Sequence, residues 1–134
     1  MALKSKLDLH ELPSDFADIP IYRAAGNLDI YSAQELRKSL EKRTADQNIR
    51  NVIIDVSDLE YIDSSGIGVI FSNGIKLKKR GGSVILIKPQ EMVVHALEIT
   101  RAELDIPFGD GGIGHARTPA VCVRRPLPGP DGTS

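Results

Sequence analysis

Residues 61–71 read YIDSSGIGVIF. Asp63, Ser64 and Ser65 put a carboxylate and two hydroxyls in succession, with Gly66 next and apolar runs on either side. Aspartate or serine at such a point caps a helix by accepting its first backbone N–H groups. Capping employs one polar side chain and leaves the others without a structural duty. A serine at a helix start lies in the positive end of the helix field. Phosphorylation there adds nearly two negative charges where the dipole tolerates them, so the local surface changes sign while the fold survives. Enzymatic readings find less support. DSSGIG is not the G-x-S-x-G of a nucleophile elbow, and no G-x-x-x-x-G-K-[ST] phosphate loop is present. GDGGIG at 109–114 is followed by no helical pattern. His10 and His115 lie in weakly patterned ends, and His95 reads as a partly buried structural histidine of an amphipathic helix. Cys122 is the single cysteine, which excludes an internal disulfide and a zinc site of several thiolates. No catalytic residue, metal or cofactor is expected, and the chain reads as a binding protein, not an enzyme.

The elements that position the 63–66 stretch follow from periodicity. IPIYRAAGNLD reads as a strand that turns at Gly26. Ser32, with Glu35 three residues later, has the form of a capping box for a helix whose Leu36 and Leu40 face inward and whose Arg37, Lys38, Glu41 and Lys42 face elsewhere. NVIIDVS and SVILIK are β-branched runs of the kind buried in parallel sheets. Between them, Ile67, Ile70, Phe71 and Leu77 recur at helical spacing, and Gly74 permits close packing. Lys76, Lys78, Lys79 and Arg80 form a solvated last turn, and Gly81 with Gly82 stops the helix. Pro89 opens a further helix with Met92, Val93, Ala96 and Leu97 on one side, and AELDIPF ends in a short strand. Three strand–helix alternations imply an α/β fold: a mixed, mostly parallel sheet with helices packed on it. The expected organisation is an N-terminal segment or edge strand at 1–18, one domain at 19–108, and a flexible Gly/Pro-rich tail at 109–134. Within that tail AVCV is a weaker candidate for a small edge strand.

The 134 residues suit one domain. A net charge of −1 gives no electrostatic reason to expect nucleic acid or an anionic membrane as partner. No apolar run reaches the length of about 18 residues that a membrane span requires. MALKSKLDLH lacks the apolar core of a signal peptide, so the cytoplasm is the expected location.

GNLD before a helix, NVIIDVSDLEYIDSSGIGVI and KKRGGSVILIKPQEMVVHALEIT together resemble the STAS domain of bacterial anti-sigma factor antagonists, over about residues 19–108. The resemblance implies that Ser65, the second serine of D-S-S-G, is phosphorylated by a partner that is both anti-sigma factor and serine/threonine kinase. It places Ser64 as the structural neighbour, Asp63 as the residue shaping the helix start, and Asp29 in the loop near the acceptor. The implied contact surface is Asp29, Asp63, Ser64, Ser65, Gly66 and Ile67. Unphosphorylated, such an antagonist binds the kinase and frees a sigma factor for transcription, as in bacterial stress responses. Phosphorylated, it lets go until a serine phosphatase resets it, and ATP belongs to the kinase. Two features depart from the family: Asn27 stands where Glu is frequent, and the Gly/Pro-rich tail replaces the usual closing strand and helix. Rival readings are a STAS subunit of a larger signalling or lipid-transport assembly, and, from another class, a small nucleotide-binding protein or hydrolase. The absence of a phosphate loop and of a base beside Ser65 counts against the last.

Overall fold

The computed structural model describes residues 7–16, 18–104, 108–109 and 120–124. In chain order these form strands β1 (Leu7–Leu12) and β2 (Ile21–Leu28), helix α1 (Ala33–Thr44), strands β3 (Asn51–Asp55) and β4 (Leu59–Ile62), helix α2 (Ser64–Lys78), strand β5 (Ser83–Ile87), helix α3 (Glu91–Leu104), and strands β6 (Phe108–Gly109) and β7 (Val121–Arg124). The main path across the sheet is β1-β2-β3-β5-β7-β6, and β4 pairs with β2 off that path. The edge strand β1 is antiparallel to β2, and every other pairing is parallel. The fold is therefore the mixed, mostly parallel α/β sheet that the alternation of elements implies. His115 and residues 110–114 of the glycine-rich run lie outside the described residues.

The strands have one fully buried face. Tyr22, Ile54, Leu86 and Val123 stand side by side across β2, β3, β5 and β7, and Val52, Val84 and Val121 form a second row. All seven are buried. α2 packs on β4, β5 and β7 and touches both other helices, which makes it the centre of the helical layer. α1 is anchored by Tyr22, whose hydroxyl donates to Ser39 O at 3.2 Å. Burial, and secondarily the Glu11 carboxylate, pushes this phenol up to about 12, so it stays a neutral donor.

Several local expectations change. The chain does not turn at Gly26. β2 passes through it by a bulge between Gly26 and Asn27, with Gly26 at φ 97. The left-handed conformation suits glycine, and it lets one strand serve two partners: Ile21–Arg23 pair with β3 and Gly26–Leu28 with β4. α3 buries Val93, Val94 and Leu97 but leaves Met92 and His95 exposed, so His95 is a surface residue. The basic end of α2 is partly tied down. Lys76 Nζ donates to Thr44 Oγ1, and Arg80 donates to the carbonyls of Asp46 and Ile49, which fixes the loop after α1 to this helix end. Gly81, also at positive φ, ends the helix as expected.

The largest correction concerns the C-terminal segment. Val121–Arg124 lies between β5 and β6, not at the edge of the sheet, so the expectation of a loose tail from residue 109 fails for residues 120–124. Turn-rich flanks hid a four-residue strand whose Val121 and Val123 are core residues. A Cβ on Gly74 would lie 2.5 Å from Ala120 O, so α2 rides directly on the entry to this strand.

Two predictions follow from β7. Each buried valine contributes about 1.5 kcal/mol or more, against a total stability of about 5–15 kcal/mol. Removing residues 120–134 is expected to lower the melting temperature by more than about 10 °C. A fall of under about 4 °C would show that β7 lies outside the cooperative unit. Gly74→Ala gains about 1 kcal/mol of helix propensity but drives a methyl into a carbonyl oxygen, an overpacking cost of about 1–3 kcal/mol. The expected result is net destabilisation by denaturant titration, and a more stable variant would contradict the close α2–β7 contact.

Candidate functional site

The start of α2 is assembled from two strand ends. Leu28 closes β2 and Ile62 closes β4, and the two are paired. Asp63 N then donates to Leu28 O at 3.1 Å. Asp63 is extended (φ −119, ψ −174), and its Oδ1 accepts from Ser65 N at 2.9 Å and Gly66 N at 3.3 Å. The carboxylate is thus the helix N-cap, as its residue type suggests. Gly66 is buried, and a Cβ there would meet Leu28 Cγ at 2.5 Å and Leu28 O at 2.9 Å. Any larger residue would push the helix off the end of β2. Ile67, 3% exposed, points into the core. Gly66 and Ile67 therefore support the site from beneath and present no side chain to a partner, contrary to their place in the expected contact surface.

With Asp63 spent on the cap, the two serines are free of it. Ser64 is exposed and Ser65 half-buried. Neither hydroxyl has a hydrogen-bond partner among the described residues. Ser65 looks into a shallow depression of about 190 Å³ between α1 and α2, lined also by Ile30, Ala33, Gln34, Arg37 and Val69. This is a place where a hydroxyl can be reached without the helix opening.

The opposite rim is the loop from β2 to α1, and here the capping expectation changes. Ser32 has helical backbone angles and makes no side-chain cap bond. Asp29 does that work. Its Oδ1 accepts from Tyr31 N at 2.9 Å and Ser32 N at 3.1 Å, and its carbonyl accepts from Ala33 N at 2.7 Å. Ser32 Oγ in turn accepts from Asp29 N and donates to Asn27 O at 2.7 Å. Asp29 is only 7% exposed, so it shapes the loop from inside. The consequence is at the apex: Ile30 is 60% and Tyr31 80% exposed. Tyr61, on β4 two residues before the cap, is exposed as well.

The structure thus brings Asp29, Asp63, Ser64 and Ser65 to one end of the sheet, through the Leu28–Asp63 hydrogen bond. Sequence reasoning did not single out Ile30, Tyr31, Tyr61 or the place of Arg37 on the depression that Ser65 also lines. The apolar pair inside the short polar loop DIYS was the available signal, since an aspartate followed by serine three residues later marks a side-chain-closed turn. Among the described residues no group of His, Cys, Asp or Glu is arranged to hold a metal. No described helix is long and apolar enough to cross a membrane.

Comparison with known proteins agrees with this architecture. Residues 14–110 match the family described as STAS domain. The anti-sigma-B factor antagonist of Bacillus subtilis is 37% identical over 76 residues, covering 57% of this chain and 68% of that protein. The anti-sigma-B factor antagonist of Listeria monocytogenes is 28% identical over 94 residues, 70% of this chain and 79% of that one. The Bacillus cell fate determinant SpoIIAA, solved in its phosphorylated form, shares the fold with a TM-score of 0.58 at 19% identity, covering 71% of this chain and 83% of that chain. With the D-S-S-G start of its second helix set on the ends of two parallel strands, the chain belongs to the STAS-domain family of anti-sigma factor antagonists.

Proposed function

We propose that this protein is an anti-sigma factor antagonist that binds an anti-sigma serine/threonine kinase when Ser65 is unmodified, and is released when that kinase phosphorylates Ser65. The observation that carries this reading is the Ser65 hydroxyl itself. It is half-exposed, free of hydrogen bonds among the described residues, and separated from the capping duty that Asp63 performs. A hydroxyl with no structural role can be modified without loss of the fold. Ile30, Tyr31 and Tyr61 supply exposed apolar and aromatic surface at the same end of the sheet, the composition that interface centres favour. The kinase would bind here through these side chains, with Asp29 and Asp63 holding the loop and the helix start in register. A phosphate on Ser65 would put a desolvation cost and a charge beneath that contact. A serine phosphatase would restore the binding form. The ATP is the kinase's, and this chain performs no catalysis of its own. The cytoplasm is the compartment in which such a switch would meet its sigma factor.

Incubation with an anti-sigma kinase from the same cell and ATP is expected to add one phosphate to the wild type and none to Ser65→Ala. Ser64→Ala should still accept it. Ser65→Ala should keep its affinity for the kinase in calorimetry, and the phosphorylated wild type should bind about a hundredfold more weakly, or about 2.7 kcal/mol. Phosphate mapped to Ser64, or equal affinity before and after phosphorylation, overturns the assignment.

Asp29→Ala removes an acceptor for two backbone donors at the start of α1. It is expected to cost about 1 kcal/mol of stability and to weaken kinase binding by disordering Ile30 and Tyr31, while Asp29→Asn, which keeps the acceptor oxygen, should recover most of both. Affinity for the kinase unchanged in a folded Asp29→Ala chain would remove this loop from the interface.

A further inference from the structure

We infer that Arg37 is an internal receptor for the phosphoryl group on Ser65, its guanidinium pairing with the phosphate across the depression between α1 and α2. The inference rests on Ser65 being the modified residue, and adds what the rest of the chain does with the charge. Arg37 lies three residues beyond Gln34 and four beyond Ala33, on the flank of α1 that lines the depression. Val69, four residues beyond Ser65, lines it from α2. Arg37 is exposed, and no ion pair or hydrogen bond engages its side chain among the described residues. Among the described residues that line the depression with Ser65, Arg37 is the one that carries a positive charge.

The helix start alone is a poor receptor here. Ser65 N and Gly66 N, the donors that an anion would use, already serve Asp63 Oδ1. A phosphate on Ser65 would have the Asp63 carboxylate close by, and needs a countercharge from another element. Arg37 meets that need with a planar fork suited to bidentate phosphate binding. The depression's volume of about 190 Å³ is several times the ~30 Å³ that one water occupies in the liquid. Its apolar walls, Ile30, Ala33 and Val69, exclude part of the solvent and strengthen a pair formed there. In the phosphorylated protein the pair would bridge the two helices, and the dianion's remaining negative charge would face a partner that met a neutral hydroxyl before.

The test uses the full chain with phosphoserine installed at position 65 by genetic encoding, so that no kinase is required. Phosphorus NMR then follows the second ionisation of the phosphate with pH. A neighbouring guanidinium favours the dianion, so the midpoint in the wild type is expected about half a unit or more below that in Arg37→Gln. Arg37→Lys should fall between them, since it keeps the charge but loses the fork. The difference should shrink in about 1 M salt. Equal midpoints in the wild type and Arg37→Gln would overturn the inference. Failure of a kinase to modify Ser65 would instead overturn the functional reading while leaving this titration intact.

Discussion

The contact on which the site depends is the seating of the α2 start against the end of β2. It is made by one backbone hydrogen bond, Asp63 N to Leu28 O, and by one missing side chain, that of Gly66. A Cβ at 66 would collide with both the side chain and the carbonyl of Leu28, and no rotamer of Leu28 relieves a clash with its own backbone oxygen. Because the residue after Leu28 is Asp29, this same contact fixes how far the β2–α1 loop stands from the serines. The two halves of the site, far apart in sequence, are therefore positioned by a single rigid junction. Parallel pairing of β2 with β4 in the preceding residues holds the junction from below.

The junction also separates duties that would otherwise conflict. A serine that caps a helix has its hydroxyl oxygen committed, and phosphorylating it would undo the helix start. Here Asp63 caps with a charged acceptor, which the helix field favours. Asp29 closes the neighbouring loop by the same device. Each carboxylate serves backbone donors, and each leaves the side chains that follow it facing outward. Two aspartate-closed turns side by side thus expose Ser64, Ile30 and Tyr31 and leave Ser65 reachable without any part of the core being disturbed.

Much of this was legible in the sequence, for identifiable reasons. The buried strands Asn51–Asp55 and Ser83–Ile87 and the helix at 64–78 carry strong periodic signals, and the D-S-S-G segment announces its own cap. What was hidden depends on partners remote in the chain. Gly26 looks like a turn in isolation, and becomes a bulge only because β4 offers the far half of β2 a second partner. Leu59–Ile62 is too short to show a period. Val121–Arg124 looks like a fragment within turn-rich residues, and its burial comes from β5 on one side and α2 above. Asp29 and Ser32 exchange two hydrogen bonds that their spacing permits but does not require. Ser32 with Glu35 fits the capping-box pattern equally well, and the geometry of Asn27, which accepts from the Ser32 hydroxyl, decides between them.

The helical layer limits what a charge placed at the start of α2 could do. α2 reaches from the serines at its first turn to Lys76 at its last, with Arg80 just beyond it, and it packs on β4, β5, β7 and both other helices. Its far end is bound to Thr44, Asp46 and Ile49, and its middle rests on Ala120 through Gly74. A helix held at so many points cannot shift by a turn without breaking core contacts on several sides. A phosphate on Ser65, as proposed above, would therefore have little large-scale motion to drive. Its effect would be local, a new charge beside Ile30 and Tyr31 at the rim, with the scaffold unchanged.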